Sequence, residues 1–218
     1  MMSQHRNTGV TETPAAEAVQ APEAEERRAP NLIDEQHILD AAYELLLAVG
    51  MRRMTMADIA RAADVSRATL YRRWRNVREV VATLMTREWT TLANAELDVT
   101  SGTARERLVG GVVRLVRASR DNRMLRKIIE VDPEFLLPYL LHRRGTNTTR
   151  QLELIEHGIR LGIADGSIRD GDVAARAESV LLTAWSFALT GPAMAEAPGQ
   201  LDAIDDQLHE LLERYLAP

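Results

Sequence analysis

The chain contains no cysteine, a single lysine and few aromatic residues. Without cysteine, neither a disulfide nor a thiolate metal site can form. The longest apolar stretch, about residues 180–189, is shorter than the roughly 20 residues that a membrane span needs. The first thirty residues hold no apolar run of the kind found in signal peptides. Since hydrophobic residues still make up 45% of the 218 residues, these absences predict a soluble, cytoplasmic protein with a packed core and no membrane partner.

The formal charge of −5 is unevenly distributed. Residues 51–78 carry eight arginines and two aspartates, a net charge of +6, so the rest of the chain carries −11. One basic segment on an acidic body suits a selective polyanion binder, because the segment attracts phosphate while the body resists non-specific binding. Charge alone leaves open the alternative of a solvated, arginine-rich helix face.

Composition and periodicity divide the chain into three parts. Residues 1–31 lack large apolar residues and predict a disordered tail, since burial cannot offset the entropy cost of ordering them. Residues 32–84 contain the basic stretch, and residues 85–218 form a second helical domain. Because no segment shows convincing strand alternation, we expect an all-α fold of about nine to ten helices.

Residues 55–74 have the pattern of two short helices joined by a tight turn. Thr55 is placed to cap the first helix, with Asp58 three residues further on. Asp64 marks the turn, and Ser66 caps the second helix. The pattern is typical of a helix-turn-helix motif.

The second helix of the motif has two different faces. Leu70 and Trp74, four residues apart, predict an inward face. The opposite face carries small, aromatic and cationic groups, which suit a DNA major groove about 12 Å wide, where arginine can donate two hydrogen bonds to guanine. Hydroxyl groups and the helix N-terminus can bind phosphate. The predicted contacts on this face are Ser66, Arg67, Ala68, Thr69, Tyr71, Arg72 and Arg75.

Residues 34–84 resemble the N-terminal domain of the TetR family of transcriptional regulators. The resemblance rests on Ile38, Leu39, Ala41, Ala42, Gly50, Thr55, Ile59, Ala60, Ala63, Val65, Ser66, Thr69, Leu70, Tyr71 and Trp74. It implies an Ω-shaped homodimer, in which each subunit has a DNA-binding head and a helical body that binds a small ligand and forms the dimer.

The resemblance also implies a role for individual residues of the motif. Thr55 would contact phosphate as well as cap its helix, while Arg67 and Ala68 would approach bases. The remaining implied contacts are to the DNA backbone from Thr69 and Tyr71, and to base or backbone from Arg72.

Three positions depart from the family pattern. Asp64 replaces a turn glycine; aspartate tolerates the left-handed conformation that such a turn requires. Arg73 replaces a common His or Tyr. Val77 replaces a lysine that holds phosphate at the start of the next helix, and Arg75 or Arg78 would have to supply that contact.

The second domain offers candidates for a ligand cavity and a subunit interface. Ligand pockets are mostly apolar with a few polar groups, which selects Trp89, Met124, Phe135, Tyr139, His142 and Trp185; each of these has the alternative of a core or surface position. The last two helices carry more apolar stripes than one small core needs, which predicts a dimer across a two-fold axis. The predicted interface residues are Val180, Ala184, Ala188, Leu201, Leu208, Leu211 and Tyr215, with packing inside one subunit as the alternative.

Patterns typical of enzymes are missing from the sequence. The five histidines, at positions 5, 37, 142, 157 and 209, have no metal-pair spacing, and there is no phosphate-binding glycine loop or nucleophile motif. We therefore expect no metal, no cofactor and no enzymatic activity. The favoured function is a sequence-specific DNA-binding repressor that a small molecule releases from a palindromic operator. The alternatives are a related regulator controlled by a protein partner and, more remotely, a helical metal-binding protein or enzyme.

Overall fold

The computed structural model describes residues 30–138 and 145–218, with side chains from Glu35 onward. Residues 1–29 of the predicted tail, Tyr139 and His142 lie outside the described residues. Residues 30 and 31, the end of the predicted disordered tail, are helical, so the prediction is wrong for these two positions. Nine α-helices are complete within the described part, which contains no strand. They are α1 (Pro30–Val49), α2 (Met56–Ala62), α3 (Arg67–Arg73), α4 (Val77–Glu96), α5 (Ala104–Asp121), α6 (Arg123–Val131), α7 (Thr146–Ala164), α8 (Val173–Met194) and α9 (Gln200–Leu216).

Two short 3₁₀ helices connect these elements. Met51–Arg53 lies between α1 and α2, and Pro133–Phe135 follows α6. In the segment that follows α6, residues 133–135 are 3₁₀ and residues 137–138 are α-helical. Helix α1 is described from Pro30 onward.

The predicted caps are confirmed. Thr55 and Asp58 form a reciprocal capping box at α2, and the Ser66 side chain accepts a hydrogen bond from the Thr69 N–H at α3. Asp64 has a φ of 49°, the left-handed conformation expected of the turn residue. The angle between α2 and α3 is therefore set by local chemistry readable in the sequence.

The first hydrophobic core joins α1–α4 to α6. Residues from the second half of the chain, Met124 and Ile128 of α6 and Phe135 of the following 3₁₀ helix, are at most 1% exposed within it. The division of the chain at residue 84 stays a prediction, but α6 packs in the same core as α1–α4, which together form the head of the molecule. Any movement of α6 therefore acts directly on the core that supports α2 and α3.

The second core is formed by α5, α7, α8 and α9. Gly111 of α5 allows a close approach to the residue that follows α4, because a Cβ on Gly111 would lie only 2.5 Å from Leu97 Cδ2. Asp205 of α9, 1% exposed, accepts hydrogen bonds from Arg117 and Arg120 of α5. This ion cluster connects α9 to α5.

Helix α8 contains the pair Gly191-Pro192, a sequence that often ends a helix. Pro192 lies inside α8, and the helix continues to Met194. Proline removes one backbone hydrogen bond and crowds the preceding turn, and α8 ends within two residues of it.

The assignment of interface residues is also corrected for three positions. Val180, Ala184 and Leu208 are 1%, 8% and 0% exposed and pack in the second core of their own chain, so they offer no surface to a second copy. Ala188, Leu201 and Tyr215 are partly buried. Leu211 alone of the predicted set is largely exposed, at 46%, and Leu182 of α8 is 65% exposed. Among the described residues, no helix is both long and apolar enough to cross a membrane.

Candidate functional site

Helix α2 begins with a fully formed capping box. The Thr55 hydroxyl donates to Asp58 Oδ2 at 2.6 Å, the Thr55 N–H donates to the same oxygen at 3.2 Å, and the Asp58 N–H donates to Thr55 Oγ1 at 3.1 Å. The hydroxyl bond, helped by the nearby Arg61, lowers the pKa of Asp58 against the opposing effect of burial. Both Thr55 donors are therefore engaged in the free protein.

Helix α3 is held from behind by two large side chains. Leu70 is fully buried and Trp74 is 5% exposed, as the sequence predicted. The Trp74 Nε1–H donates to Thr83 Oγ1 at 2.9 Å, and that hydroxyl donates to the Glu79 carbonyl at 3.0 Å. The indole thus fixes α3 to the first turns of α4, and the opposite face of α3 is turned outward.

The outward face of α3 carries the residues predicted to contact DNA. Exposed side chains there and at the neighbouring caps are Thr55, Ser66, Arg67, Ala68, Tyr71, Arg72 and Arg75, and Thr69 is partly exposed. Tyr71 is 53% exposed, unusual for a tyrosine beside a core. Within the described part of the chain, no ion pair neutralises Arg67, Arg72 or Arg75. The face combines a positive charge with hydroxyl donors and one small residue that permits close approach.

Arg78 is exposed as well, and it also contacts a second part of the molecule. Its guanidinium lies 5.9 Å from the centre of the Phe135 ring, a cation–π contact with the segment that follows α6. Arg75 is exposed, and its backbone N–H donates to Glu79 Oε2 at 2.8 Å. Both candidates for the cation missing at Val77 are therefore exposed, and Arg78 is the one whose guanidinium packs on an aromatic ring.

A cavity of about 830 Å³ lies between α4, α5, α6, α7 and α8. It is lined by all four described ligand candidates, Trp89, Met124, Phe135 and Trp185. The Trp185 Nε1–H donates to Gln151 Oε1 at 3.2 Å, which fixes one indole along the wall. Since Met124 and Phe135 also belong to the core of the head, one wall of the cavity is the inner surface of the DNA-binding unit.

The polar lining was missed by the sequence reasoning. Asn147, Thr148 and Gln151 reach the cavity from the first turns of α7, and the Asn147 Oδ1 is buried without a hydrogen-bond partner among the described residues. The signal was present: residues 147, 148 and 151 share one face of a helix. These three residues are polar, whereas the predicted lining residues are aromatic side chains, a methionine and a histidine.

A helix-turn-helix with an arginine-bearing outer helix, carried on a helical body, defines a DNA-binding transcriptional regulator. Comparison with known proteins agrees. Residues 38–84 match the sequence profile described as "Bacterial regulatory proteins, tetR family". The chain is 33% identical over 150 residues to the uncharacterized HTH-type transcriptional regulator Rv2250c of Mycobacterium tuberculosis (strain ATCC 25618 / H37Rv), covering 68% of this chain and 77% of that protein.

Solved structures share the fold at low sequence identity. The transcriptional repressor QsdR of R. erythropolis, from the TetR family, superposes with a TM-score of 0.63 at 17% identity, covering 84% of this chain and 96% of QsdR. SmeT, solved as a complex with triclosan, gives a TM-score of 0.55 at 20% identity, covering 85% and 92% of the two chains. The chain belongs to the TetR family. It is a DNA-binding transcriptional regulator and not an enzyme.

Proposed function

We propose that the protein is a homodimeric repressor that leaves a palindromic operator when a small, largely apolar molecule enters the cavity between α4 and α8. The observation that carries this proposal is the shared wall: Met124 and Phe135 line the cavity and pack in the core of the head. A molecule that displaces this wall changes the support of α3.

In the proposed complex, α3 enters the major groove. Arg67, Ala68 and Arg72 face base edges, where an arginine can donate two hydrogen bonds to guanine. The surrounding donors contact phosphates and set the position of the helix; these are Thr55, Ser66, Thr69, Tyr71 and Arg75. For Thr55 this requires phosphate to compete with Asp58 for the hydroxyl and the N–H.

Two copies of the head are needed to read a palindrome. Their recognition helices must be centred about 34–36 Å apart, or a multiple of it. We assign the subunit contact to the exposed side of α8 and α9, where Leu182 and Leu211 are 65% and 46% exposed. Ala175 and Ser186, also exposed on α8, are small enough to let a second helix approach closely.

The lining indicates the class of ligand. Trp89 and Trp185 offer flat apolar surfaces. The Asn147 Oδ1, which has no hydrogen-bond partner among the described residues, can accept a hydrogen bond from a ligand. A hydroxyl, amide or amine on an apolar frame satisfies both requirements. SmeT, which shares the fold, was solved with triclosan. To invert a 99:1 preference for the DNA-binding state, such a ligand must favour the other state by about 10⁴-fold, near 5.5 kcal/mol.

The test begins with duplexes selected from a random pool by the purified protein. A fluorescent selected duplex is then titrated with a panel of apolar molecules that differ in bearing a hydroxyl, an amide, an amine or no donor. We expect a donor-bearing compound to release the DNA. In Ala188→Trp, which fills the cavity from α8, release should fail while DNA affinity is kept; Ala164→Trp, at an exposed position on α7 that neither lines the cavity nor lies on α8 or α9, should respond as the wild type. Equal release from both variants would contradict the proposal.

A further inference from the structure

Asp132 joins the end of α6 to the turn that enters the helix-turn-helix. Its side chain is fully buried. Oδ2 accepts a hydrogen bond from the Met51 N–H at 2.6 Å, and Oδ1 accepts one from the Arg52 N–H at 3.3 Å. Donors and acceptor are about eighty residues apart in sequence, so the carboxylate caps a helix to which it does not belong.

The 3₁₀ helix Met51–Arg53 depends on this remote cap. Its own N-cap residue is Gly50, which has no side chain to offer and makes no side-chain capping bond. The first amides of a helix need an acceptor. Asp132 supplies it, and Arg52 adds a second contact to the same segment through an ion pair with Glu134 at 2.6 Å.

Gly50 provides an independent sign that this approach is built into the chain. It has a φ of +76°, and a Cβ placed on it would lie 2.9 Å from Val131 Cγ1 and 3.2 Å from Asp132 Oδ2. Any other residue would push the turn away from α6. The turn is therefore held against α6 by a steric requirement as well as by hydrogen bonds.

We propose that Asp132 is a positioning residue for DNA binding. It holds the segment that enters α2 against the end of α6, so that a displacement of the cavity wall also displaces α2 and α3. Three residues separate Arg52 from Met56, where α2 starts, and α6 also carries Met124 into the cavity. The link to the cavity rests on the function proposed above; the link to DNA binding does not.

The first experiment measures hydrogen exchange and DNA affinity together. In Asp132→Ala we expect the Met51 and Arg52 amides to exchange at least about tenfold faster, with affinity for a selected duplex reduced about tenfold or more, each the equivalent of one lost hydrogen bond. Asp132→Asn keeps an acceptor oxygen and should recover part of both. The control is Asp172→Ala, which removes a similar carboxylate cap, on the Ala175 N–H of α8, far from the joint in sequence.

The outcomes separate positioning from a merely structural role. Faster exchange at Met51 and Arg52 with unchanged DNA affinity would overturn the proposal, as would unchanged exchange. If Asp132→Ala does not fold, Asp132→Asn and Gly50→Ala carry the test, since Gly50→Ala forces the same contact apart.

Coupling to the cavity can be tested without a ligand, because coupling between two sites is reciprocal. Saturation with the selected duplex should slow exchange in residues 123–136 of the wild type. At equal saturation this response should vanish in Asp132→Ala and be reduced in Asp132→Asn. A response of wild-type size in both variants would show that Asp132 does not transmit it. Since no small molecule is used, failure of ligand-controlled repression would leave this result intact and be recognised separately.

Discussion

The guanidinium of Arg78, in the first turn of α4, lies 5.9 Å from the centre of the Phe135 ring in the segment that follows α6. Three residues earlier, Arg75 is exposed at the end of the helix-turn-helix. Two arginines so close in sequence therefore have different surroundings. Arg78 contacts Phe135, which lines the cavity, whereas Arg75 makes no ion pair with any described residue.

Replacing each of these two arginines singly with alanine should affect the salt dependence of DNA affinity differently. Each phosphate contact contributes about 0.9 to the slope of log affinity against log salt concentration. Arg75→Ala should lower this slope by about 1, whereas Arg78→Ala should leave it unchanged and reduce stability by about 0.5 kcal/mol through the lost cation–π contact. Fluorescence anisotropy across a salt series measures the slope, and urea unfolding measures the stability. A reduced slope for Arg78→Ala would place Arg78 in the DNA interface.

Arg67 should read a base rather than the backbone. Its exposed position in the first turn of α3 places it where a recognition helix meets base edges. Arg67→Ala should lose about 1–3 kcal/mol of preference at one base pair of each half-site and little elsewhere. Competition with single-site variants of a selected duplex measures this preference. Arg61→Ala is the matched control, since Arg61 is exposed on α2 but paired with Asp58; a uniform loss for Arg67→Ala would make it a phosphate contact.

The elements of the head could be predicted from the sequence because their signals are local. The side chains of Thr55 and Ser66 accept hydrogen bonds from amides three residues away, and Asp64 forms the turn through its own left-handed backbone conformation. Helix type and helix start are decided within one turn of chain. The outward face of α3 followed from Leu70 and Trp74 alone.

What escaped prediction depends on contacts distant in sequence. Nothing near Asp132 shows that its carboxylate caps an amide at Met51, and nothing near Arg78 places a phenylalanine distant in sequence beside it. Apolar stripes on α8 and α9 showed that two surfaces exist but not which one a neighbouring helix covers, so Val180 and Leu208 were assigned to the wrong surface.

The buried carboxylate of Asp205 should make stability depend on pH in the acid range. Burial alone would raise the pKa of Asp205, but hydrogen bonds from Arg120 and Arg117 outweigh it and hold the pKa below its usual value. Its contribution is therefore fully present above the unfolded-state pKa of about 3.9 and is lost as the pH falls through the lower folded-state value.

Replacing this carboxylate tests both parts of that statement. Asp205→Asn leaves two guanidinium groups without their partner and should lower the free energy of unfolding at pH 7 by about 3–5 kcal/mol. The loss of stability from pH 5 toward pH 3 should become shallower than in the wild type. Asp206→Asn, an exposed neighbour 4.0 Å from Arg117, should change stability by less than about 0.5 kcal/mol. Urea unfolding over a pH series gives all three values, and equal effects of the two variants would refute the role of Asp205.

The subunit contact should be sensitive to charge at Leu182. With 65% of its surface exposed on a helix whose opposite side packs in the second core, this leucine suits the centre of an interface. Leu182→Arg would bury an unpaired cation against its two-fold copy, so we expect monomers at concentrations where the wild type is dimeric, and loss of binding to a two-site duplex. Leu161→Arg, at a 44% exposed position on α7, is the control and should stay dimeric. Sedimentation velocity measures both; a dimeric Leu182→Arg together with a monomeric Leu161→Arg would move the interface to α7.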